Sequence, residues 1–121
     1  MSARVLIVED EAIVAMDIAL RLIGLGYTVS DYVSTGEEAL EQAESFRPDL
    51  VMMDIRLAGG MDGIETAERL RDRHGMPILF VTAYSDDEVL KRALNVGACG
   101  FLLKPFDEAE LEAAVNATLN G

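Results

Sequence analysis

The sequence has a single cysteine, no long hydrophobic run and no tract rich in proline or glycine. Cys99 has no second cysteine to pair with, which excludes an internal disulfide. The short apolar runs fall far below the roughly 20 residues that a membrane-spanning helix needs. Residues 1–4 also lack the layout of a secretory signal. We therefore predict a cytoplasmic protein with a reduced thiol and no membrane association.

Basic residues are scarce in this chain. Ten lysines and arginines stand against 22 aspartates and glutamates, giving a formal net charge of −12 at pH 7. Nucleic acids and anionic membranes attract basic surfaces, so this balance argues against direct binding to either. The acidity is compatible with cation binding or with a basic partner. For the total charge alone, the simpler interpretation is that it aids solubility.

The hydrophobic pattern is typical of one domain in which short strands alternate with helices. Half of the 121 residues are hydrophobic, enough for a buried core, and we predict that 1–121 is a single domain with no further domain after it. The predicted strands are 4–9, 27–33, 49–54, 78–82 and 99–103. The predicted helices are 11–24, 36–46, 63–73, 86–95 and 107–119.

Local signals support these helices. In the first helix an apolar stripe recurs at three- and four-residue spacing, and we predict that it is buried: Ile13, Met16, Leu20 and Ile23. Three later helices begin with an N-cap residue and a glutamate three positions on, at Asp62 and Glu65, Ser85 and Glu88, and Asp107 and Glu110. Gly97 suits a left-handed end of the fourth helix.

Five strands that alternate with five helices predict an α/β fold with a doubly wound parallel sheet. Strands one, three and four are almost wholly apolar, as expected for strands covered on both faces. Strand two is more polar, which favours an edge position. Periodicity alone leaves the strand order open. In such sheets ligands bind beyond the carboxyl ends of the strands.

Polar residues stand where four of these strands end. Glu9 and Asp10 follow the first strand, Asp54 ends the third, Thr82 ends the fourth and Lys104 follows the fifth. Each alone has an ordinary explanation as a cap, a turn or a surface charge. Together they place three carboxylates, a hydroxyl and an ammonium in one crevice. Such a set can hold Mg²⁺, which prefers oxygen ligands.

The same crevice could carry a phosphoryl group on Asp54. A carboxylate oxygen that attacks phosphorus forms an acyl phosphate, which is a known form of covalent catalysis. Negative charge on the transferred group needs positive partners. Mg²⁺ and the point charge of Lys104 can supply them, and the Thr82 hydroxyl can donate a hydrogen bond.

At these residues the chain resembles the receiver domain of bacterial two-component response regulators, over essentially its whole length. The matching segments are Val5–Glu11, Met53-Asp54, Met61-Asp62-Gly63, Thr82-Ala83 and Gly100–Phe106. The resemblance implies a flavodoxin-like (βα)5 sandwich with strand order 2-1-3-4-5. It also implies that Asp54 is the phosphoacceptor and that Asp10 and Asp54 bind Mg²⁺ directly. Glu9 would act through a metal-bound water, and the Arg56 backbone carbonyl would be the third protein ligand.

The resemblance further implies a switch rather than an enzyme, with phosphoryl transfer and hydrolysis catalysed by the domain itself. The phosphodonor would be a phosphohistidine on a histidine kinase or phosphotransfer protein, and the output an unknown downstream protein. Thr82 would move toward the phosphoryl group and Phe101 would rotate inward. The Lys104-Pro105 peptide bond would be cis. Helix four, strand five and helix five would form the output surface and a possible homodimer interface. Tyr84 would hinder the hydrolytic water.

Two other functions share part of this pattern. A haloacid-dehalogenase-like phosphatase also uses an aspartyl nucleophile with Mg²⁺, but it needs a second acid two residues later, where this chain has Arg56. A flavodoxin needs a first loop rich in serine, threonine and glycine to hold phosphate. Here Glu9-Asp10-Glu11 would repel that phosphate.

Overall fold

The computed structural model describes residues 3–57, 59–83, 87–97 and 99–120, without the Cys99 side chain, so the predicted thiol lies outside it. The strands are β1 (Arg4–Val8), β2 (Thr28–Val29), β3 (Leu50–Asp54), β4 (Ile78–Thr82) and β5 (Cys99–Leu103). The helices are α1 (Ala12–Gly24), α2 (Gly36–Phe46), α3 (Gly63–His74), α4 (Asp87–Leu94) and α5 (Glu108–Asn120). Within the described ranges, no helix combines the length and apolar character needed to cross a membrane.

The five strands form one parallel sheet in the order β2-β1-β3-β4-β5, which confirms the fold that the resemblance implied. The second strand is much shorter than predicted. Only two residues pair regularly with β1, and a single bridge joins Val33 to Val8 farther along. The polar Ser30-Asp31 segment lies between these two pairings.

Two apolar layers enclose the sheet. Side chains alternate across β1, so that Leu6 packs with α2, α3 and α4, whereas Ile7 packs with α1 and α5. Every residue of β3 and β4 is buried, as predicted for interior strands. The two apolar layers thus place the carboxyl ends of both strands at one edge of the sheet.

The prediction for the buried face of α1 was wrong. Its predicted stripe is exposed, with fractional exposures of 84% for Ile13, 56% for Met16, 69% for Leu20 and 56% for Ile23. The buried residues are instead Ala15, Ile18 and Leu22. Both sets have helical spacing, because α1 is apolar on nearly all sides, so periodicity could not choose between them. The sheet contacts the stripe of Ala15, Ile18 and Leu22, which includes the small side chain of Ala15.

The capping predictions are confirmed where the structure describes them. The Asp62 carboxylate accepts from Glu65 N at 2.8 Å. Asp107 and Glu110 cap each other, with backbone-to-carboxylate distances of 2.8 and 3.1 Å. Gly97 has a φ of 75°, in the left-handed region. The predicted cap at Ser85 lies outside the described residues.

The cap of α2 was not predicted. The Thr35 hydroxyl accepts from Glu38 N at 3.2 Å, and the Glu38 carboxylate accepts from the hydroxyls of Ser34 and Thr35. These hydrogen bonds lower the pKa of the Glu38 carboxyl. The Thr35-to-Glu38 spacing is the same capping signal that marks the other helices. The cap fixes the start of the helix that follows Val33, beside the end of β1.

Candidate functional site

The predicted carboxylates meet at the carboxyl edge of the sheet. One carboxylate oxygen from each of Glu9, Asp10 and Asp54 lies within 4.8 Å of the others. Glu9 and Asp54 are buried, with exposures of 2% and 8%, whereas Asp10 is exposed. Parallel pairing of β1 with β3 brings these residues together although they are far apart in the chain. The arrangement offers a hard cation oxygen ligands from two neighbouring strands.

Lys104 joins this cluster from the end of β5. Its Nζ lies 2.7 Å from Glu9 Oε1 and 3.5 Å from Asp54 Oδ2. The Lys104-Pro105 peptide bond is cis, as predicted. The contact with Glu9 was not predicted, because the sequence suggested only that Lys104 would face the phosphoryl group. In this structure the ammonium mainly offsets the buried charge of Glu9.

A cavity of about 250 Å³ opens above Asp54. Asp10, Asp54, Arg56, Thr82 and Lys104 line it, so the structure brings these five predicted site residues together. Two more residues line it that the sequence prediction did not assign to the site, Glu11 and Ala83. Their only sequence signal was adjacency to Asp10 and Thr82. Glu9 lies beneath this cavity rather than in its wall, since it is almost fully buried.

Backbone groups hold the site residues in place. Arg56 N donates to Asp54 Oδ1 at 3.2 Å, and Glu11 N donates to Glu9 Oε2 at 3.2 Å. Lys104 N donates to Thr82 O at 3.0 Å and ties the ends of β4 and β5 together. These bonds leave the second oxygen of Asp54 directed toward Lys104.

The pKa of Asp54 is raised to about 7. Burial is the main cause, because it disfavours the charged carboxylate. A hydrogen bond with Glu9 and the negative charge of Glu9 act in the same direction. The positive charge of Lys104 and the Arg56 N–H oppose them. Two acids with one lysine between them thus hold one proton near neutral pH.

Glu9 and Lys104 are both held in their charged forms. Burial raises the pKa of Glu9, but hydrogen bonds with Lys104, Asp54 and Glu11 N outweigh it and the net shift is downward. Burial lowers the pKa of Lys104, yet its contacts with Glu9 and Asp54 raise it above the ordinary lysine value. Asp54 is therefore the group in this cluster that takes up the proton.

The start of α3 approaches Asp54 so closely that only glycine fits at position 63. A Cβ there would lie 2.0 Å from the Asp54 carbonyl oxygen and 2.8 Å from Ile55 Cα. We expect Gly63→Ala to lower the free energy of unfolding by about 1–3 kcal/mol, because backbone must move to admit the methyl group. Urea unfolding measures this change.

Gly24→Ala is the matched control for Gly63, since a Cβ at Gly24 meets nothing within 4 Å. An alanine at this helical position should leave stability unchanged or raise it by up to about 1 kcal/mol. Equal effects of the two substitutions would contradict the close approach described for Gly63.

The predicted switch pair lies beside the site. Thr82 is buried, and Phe101 is partly buried with its ring centroid 5.6 Å from that of Phe80. Register pairs Phe80 with Phe101 and Thr82 with Leu103, so Thr82 and Phe101 are diagonal neighbours on one face of the sheet. Tyr84 lies outside the described residues, and its effect on hydrolysis stays a prediction.

A scan of family models matches the response regulator receiver domain over residues 5–116. The transcriptional regulatory protein PdtaR of Mycobacterium tuberculosis is 38% identical over 117 residues, covering 97% of this chain and 57% of that protein. The chain thus spans little more than half the length of this curated relative.

Solved structures show the same likeness. The signal receiver domain of a modulated diguanylate cyclase from Desulfovibrio desulfuricans G20 has a TM-score of 0.91 and 36% identity, covering 99% of this chain and 95% of that one. The receiver domain of a sensor histidine kinase from Pseudomonas aeruginosa PAO1 has a TM-score of 0.87 and 30% identity over the full length of both chains. That structure has a magnesium ion coordinated in its active site cleft.

Proposed function

The chain belongs to the response regulator receiver domain family, whose members are phosphorylation switches of two-component systems, and we propose that Asp54 is its phosphoacceptor. The observation that carries this proposal is the position of Asp54 at the floor of a cavity, 3.5 Å from the Lys104 ammonium. Asp10 is exposed and Glu9 lies beneath the cavity, so Asp54 combines burial with access. Desolvation of this kind strengthens charge interactions with a transferred group.

The transfer itself is a substitution at phosphorus. An Asp54 carboxylate oxygen forms the new P–O bond while the P–N bond to a donor phosphohistidine breaks, and the imidazole leaves with the bonding electrons. Lys104 stabilises negative charge on the phosphoryl oxygens, and the Thr82 hydroxyl donates to one of them. Hydrolysis by water later restores Asp54. The domain supplies all of these side chains, so it catalyses its own modification.

The oxygen donors of the site fit Mg²⁺. Asp10, Asp54 and the Arg56 backbone carbonyl would bind the ion directly, and Glu9 would act through a water. Three clustered carboxylates and a single lysine leave excess negative charge, which a hard divalent cation offsets. When bound, Mg²⁺ supplies positive charge to the phosphoryl oxygens. The magnesium in the cleft of the Pseudomonas receiver supports this assignment.

Incubation with acetyl phosphate and Mg²⁺ tests the phosphoacceptor. We expect intact-protein mass spectrometry to find one added phosphoryl group, stable in acid and labile in base. Asp54→Asn should abolish it, because the amide is not a nucleophile toward phosphorus. Asp31→Asn, at an exposed aspartate away from the site, should leave it unchanged. Phosphorylation that persists in Asp54→Asn would refute the assignment.

Phosphorylation of Asp54 would add a charge of about −1.5 to −2, and this charge would drive the switch. Lys104 and Thr82 would move toward the phosphoryl group, and Phe101 would turn into the space that Thr82 leaves. The surface of α4, β5 and α5 would change and bind a downstream protein. The donor would be a histidine kinase or phosphotransfer protein in the cytoplasm.

Fluorophenylalanine labelling tests the rotation of Phe101. The chain has four phenylalanines, and a Phe101→Leu variant assigns the Phe101 signal by its loss. We expect beryllofluoride with Mg²⁺ to shift the ¹⁹F resonance of Phe101 more than that of Phe46, which packs at the far end of α2. A Phe101 signal that stays unchanged when beryllofluoride binds would show a static core residue.

The alternative of a haloacid-dehalogenase-type phosphatase finds no support in these comparisons. Arg56 stands where such an enzyme needs its second acid, and the family match covers almost the whole chain. Rapid turnover of many phosphate esters in the acetyl phosphate assay would favour the enzyme instead.

A further inference from the structure

The exposed apolar stripe of α1 has the spacing of a helix-pairing seam. The stripe has intervals of three, four and three residues between its members, Ile13, Met16, Leu20 and Ile23. This is the a/d pattern of two heptads, in which apolar side chains interlock with those of a facing helix. All four side chains are more than half exposed, although α1 already packs on the sheet through its opposite face.

The spacing of the stripe is the same when read in either direction. If a second α1 lies antiparallel to the first, Ile13 faces Ile23 of the other copy and Met16 faces its Leu20. The same two layers then repeat on the other side of a twofold axis. Isologous dimers require this kind of self-complementarity, in which residue i meets j and j meets i.

The charge distribution also favours a second copy at this helix. A chain with a net charge of −12 repels its own copies over much of its surface. The only charged residues of α1 are Asp17 and Arg21, whose side chains form an ion pair at 3.1 Å. In contrast, α2 has four glutamates and α5 has three, with no basic residue in either. Charge repulsion therefore opposes contact between copies less at α1 than at α2 or α5.

The α4–β5–α5 face predicted for a homodimer is less suited to this role. Of the two basic residues of α4, Lys91 and Arg92, the second pairs with Asp62 within the same chain at 3.1 Å, so that charge is already engaged. The exposed apolar residues of this face, Leu94 and Leu103, lie on different elements and form no helical seam.

We propose that two copies of this chain associate through an antiparallel pairing of α1, with Met16 of one copy against Leu20 of the other. A helix of 13 residues is about 20 Å long, so the interface is smaller than that of a typical permanent dimer. The association is therefore weak and reversible. The proposed dimer does not depend on the assignment of Asp54 as the phosphoacceptor.

Sedimentation equilibrium from about 10 μM to about 1 mM protein tests this proposal, since the range brackets weak dissociation constants. We expect the unmodified chain to dimerise and Leu20→Lys to raise the dissociation constant at least about tenfold. Leu94→Lys is the matched control, because Leu94 on α4 is 62% exposed and Leu20 is 69% exposed. Circular dichroism and acetyl phosphate labelling check that both variants remain folded.

Disulfide trapping tests the antiparallel register. In a Cys99→Ser background, a mixture of Met16→Cys and Leu20→Cys proteins should cross-link to each other faster than either cross-links to itself. Faster Met16→Cys self-linking would overturn the antiparallel arrangement.

Three outcomes would overturn the dimer itself. One is a chain that stays monomeric to about 1 mM, and another is loss of association in Leu94→Lys instead of Leu20→Lys. The third is a monomer whose Leu20→Lys variant receives phosphoryl groups more slowly from a phosphodonor protein, which would assign the stripe to that partner.

Discussion

Replacing Lys104 by methionine is expected to destabilise the metal-free protein by about 2–3 kcal/mol at pH 8. The substitution leaves Glu9, which is 2% exposed, without the ammonium that lies 2.7 Å from it. Removing one partner of a buried ion pair typically costs about 3–5 kcal/mol, and the partial exposure of Lys104 reduces that figure. The loss should be smaller at pH 5, where a proton can bind between Glu9 and Asp54. Urea unfolding in the presence of EDTA measures both values.

Two variants separate this effect from general loss of a lysine. Lys91→Met removes an exposed lysine of α4 and should change stability by no more than about 0.5 kcal/mol. The double variant Glu9→Gln with Lys104→Met removes both charges, so it should recover much of the lost stability. If Lys104→Met is as stable as Lys91→Met, then the Glu9–Lys104 pair has no structural role.

Asp54→Asn is expected to stabilise the metal-free protein above pH 7 while it abolishes phosphorylation. Burial raises the pKa of Asp54 to about 7, from an ordinary value of 3.8. Between these values the folded state keeps a proton that the unfolded state has lost, so stability falls as pH rises through this window. Above pH 7 the folded protein carries the full free-energy cost of burying the charged Asp54 carboxylate. Asparagine has no charge to bury and avoids it.

The size of this gain follows from the pKa shift. A shift of about three units corresponds to about 4 kcal/mol, and solvent at the open mouth of the cavity screens part of it. We therefore expect a gain on the order of 2 kcal/mol at pH 8 and roughly a third of that at pH 5. Urea unfolding in EDTA at both pH values measures it. Asp31→Asn, at an exposed site, should show no such pH dependence.

In saturating Mg²⁺ the parent protein should become more stable than Asp54→Asn, the reverse of their order in EDTA. If Mg²⁺ binds as proposed, it stabilises the folded parent protein, whereas Asp54→Asn lacks one carboxylate ligand and gains less stability. A parent that remains less stable than Asp54→Asn in saturating Mg²⁺ would argue against Asp54 as a metal ligand. The Mg²⁺ titration therefore tests the ligand role separately from the phosphoacceptor role.

Activity at the expense of stability is consistent with the site as a whole. Glu9 and Asp54 are buried next to each other, and Lys104 offsets only one of the two charges. A domain selected for stability alone would place apolar side chains there. In the proposed function Asp54 is the nucleophile and both acids help to hold Mg²⁺, and these roles would explain the stability cost of the pair.

Local sequence signals were enough to predict the order of the strands and helices along the chain and the residues at the carboxyl edge of the sheet. Apolar runs that end in Asp54 or Thr82 are local signals, and parallel strands necessarily bring such ends to one edge. The capping residues Asp62 and Asp107 are local too, because a cap and the N–H that it satisfies lie three residues apart.

The buried stripe of α1 and the partner of Lys104 could be identified only from the packing of the folded chain. Two stripes of α1 share the helical period, and the choice depends on how the helix lies on the sheet. Glu9 and Lys104 are 95 positions apart, and no local pattern links their side chains. Both answers depend on the relative placement of whole elements, a long-range packing property that short-range periodicity does not contain.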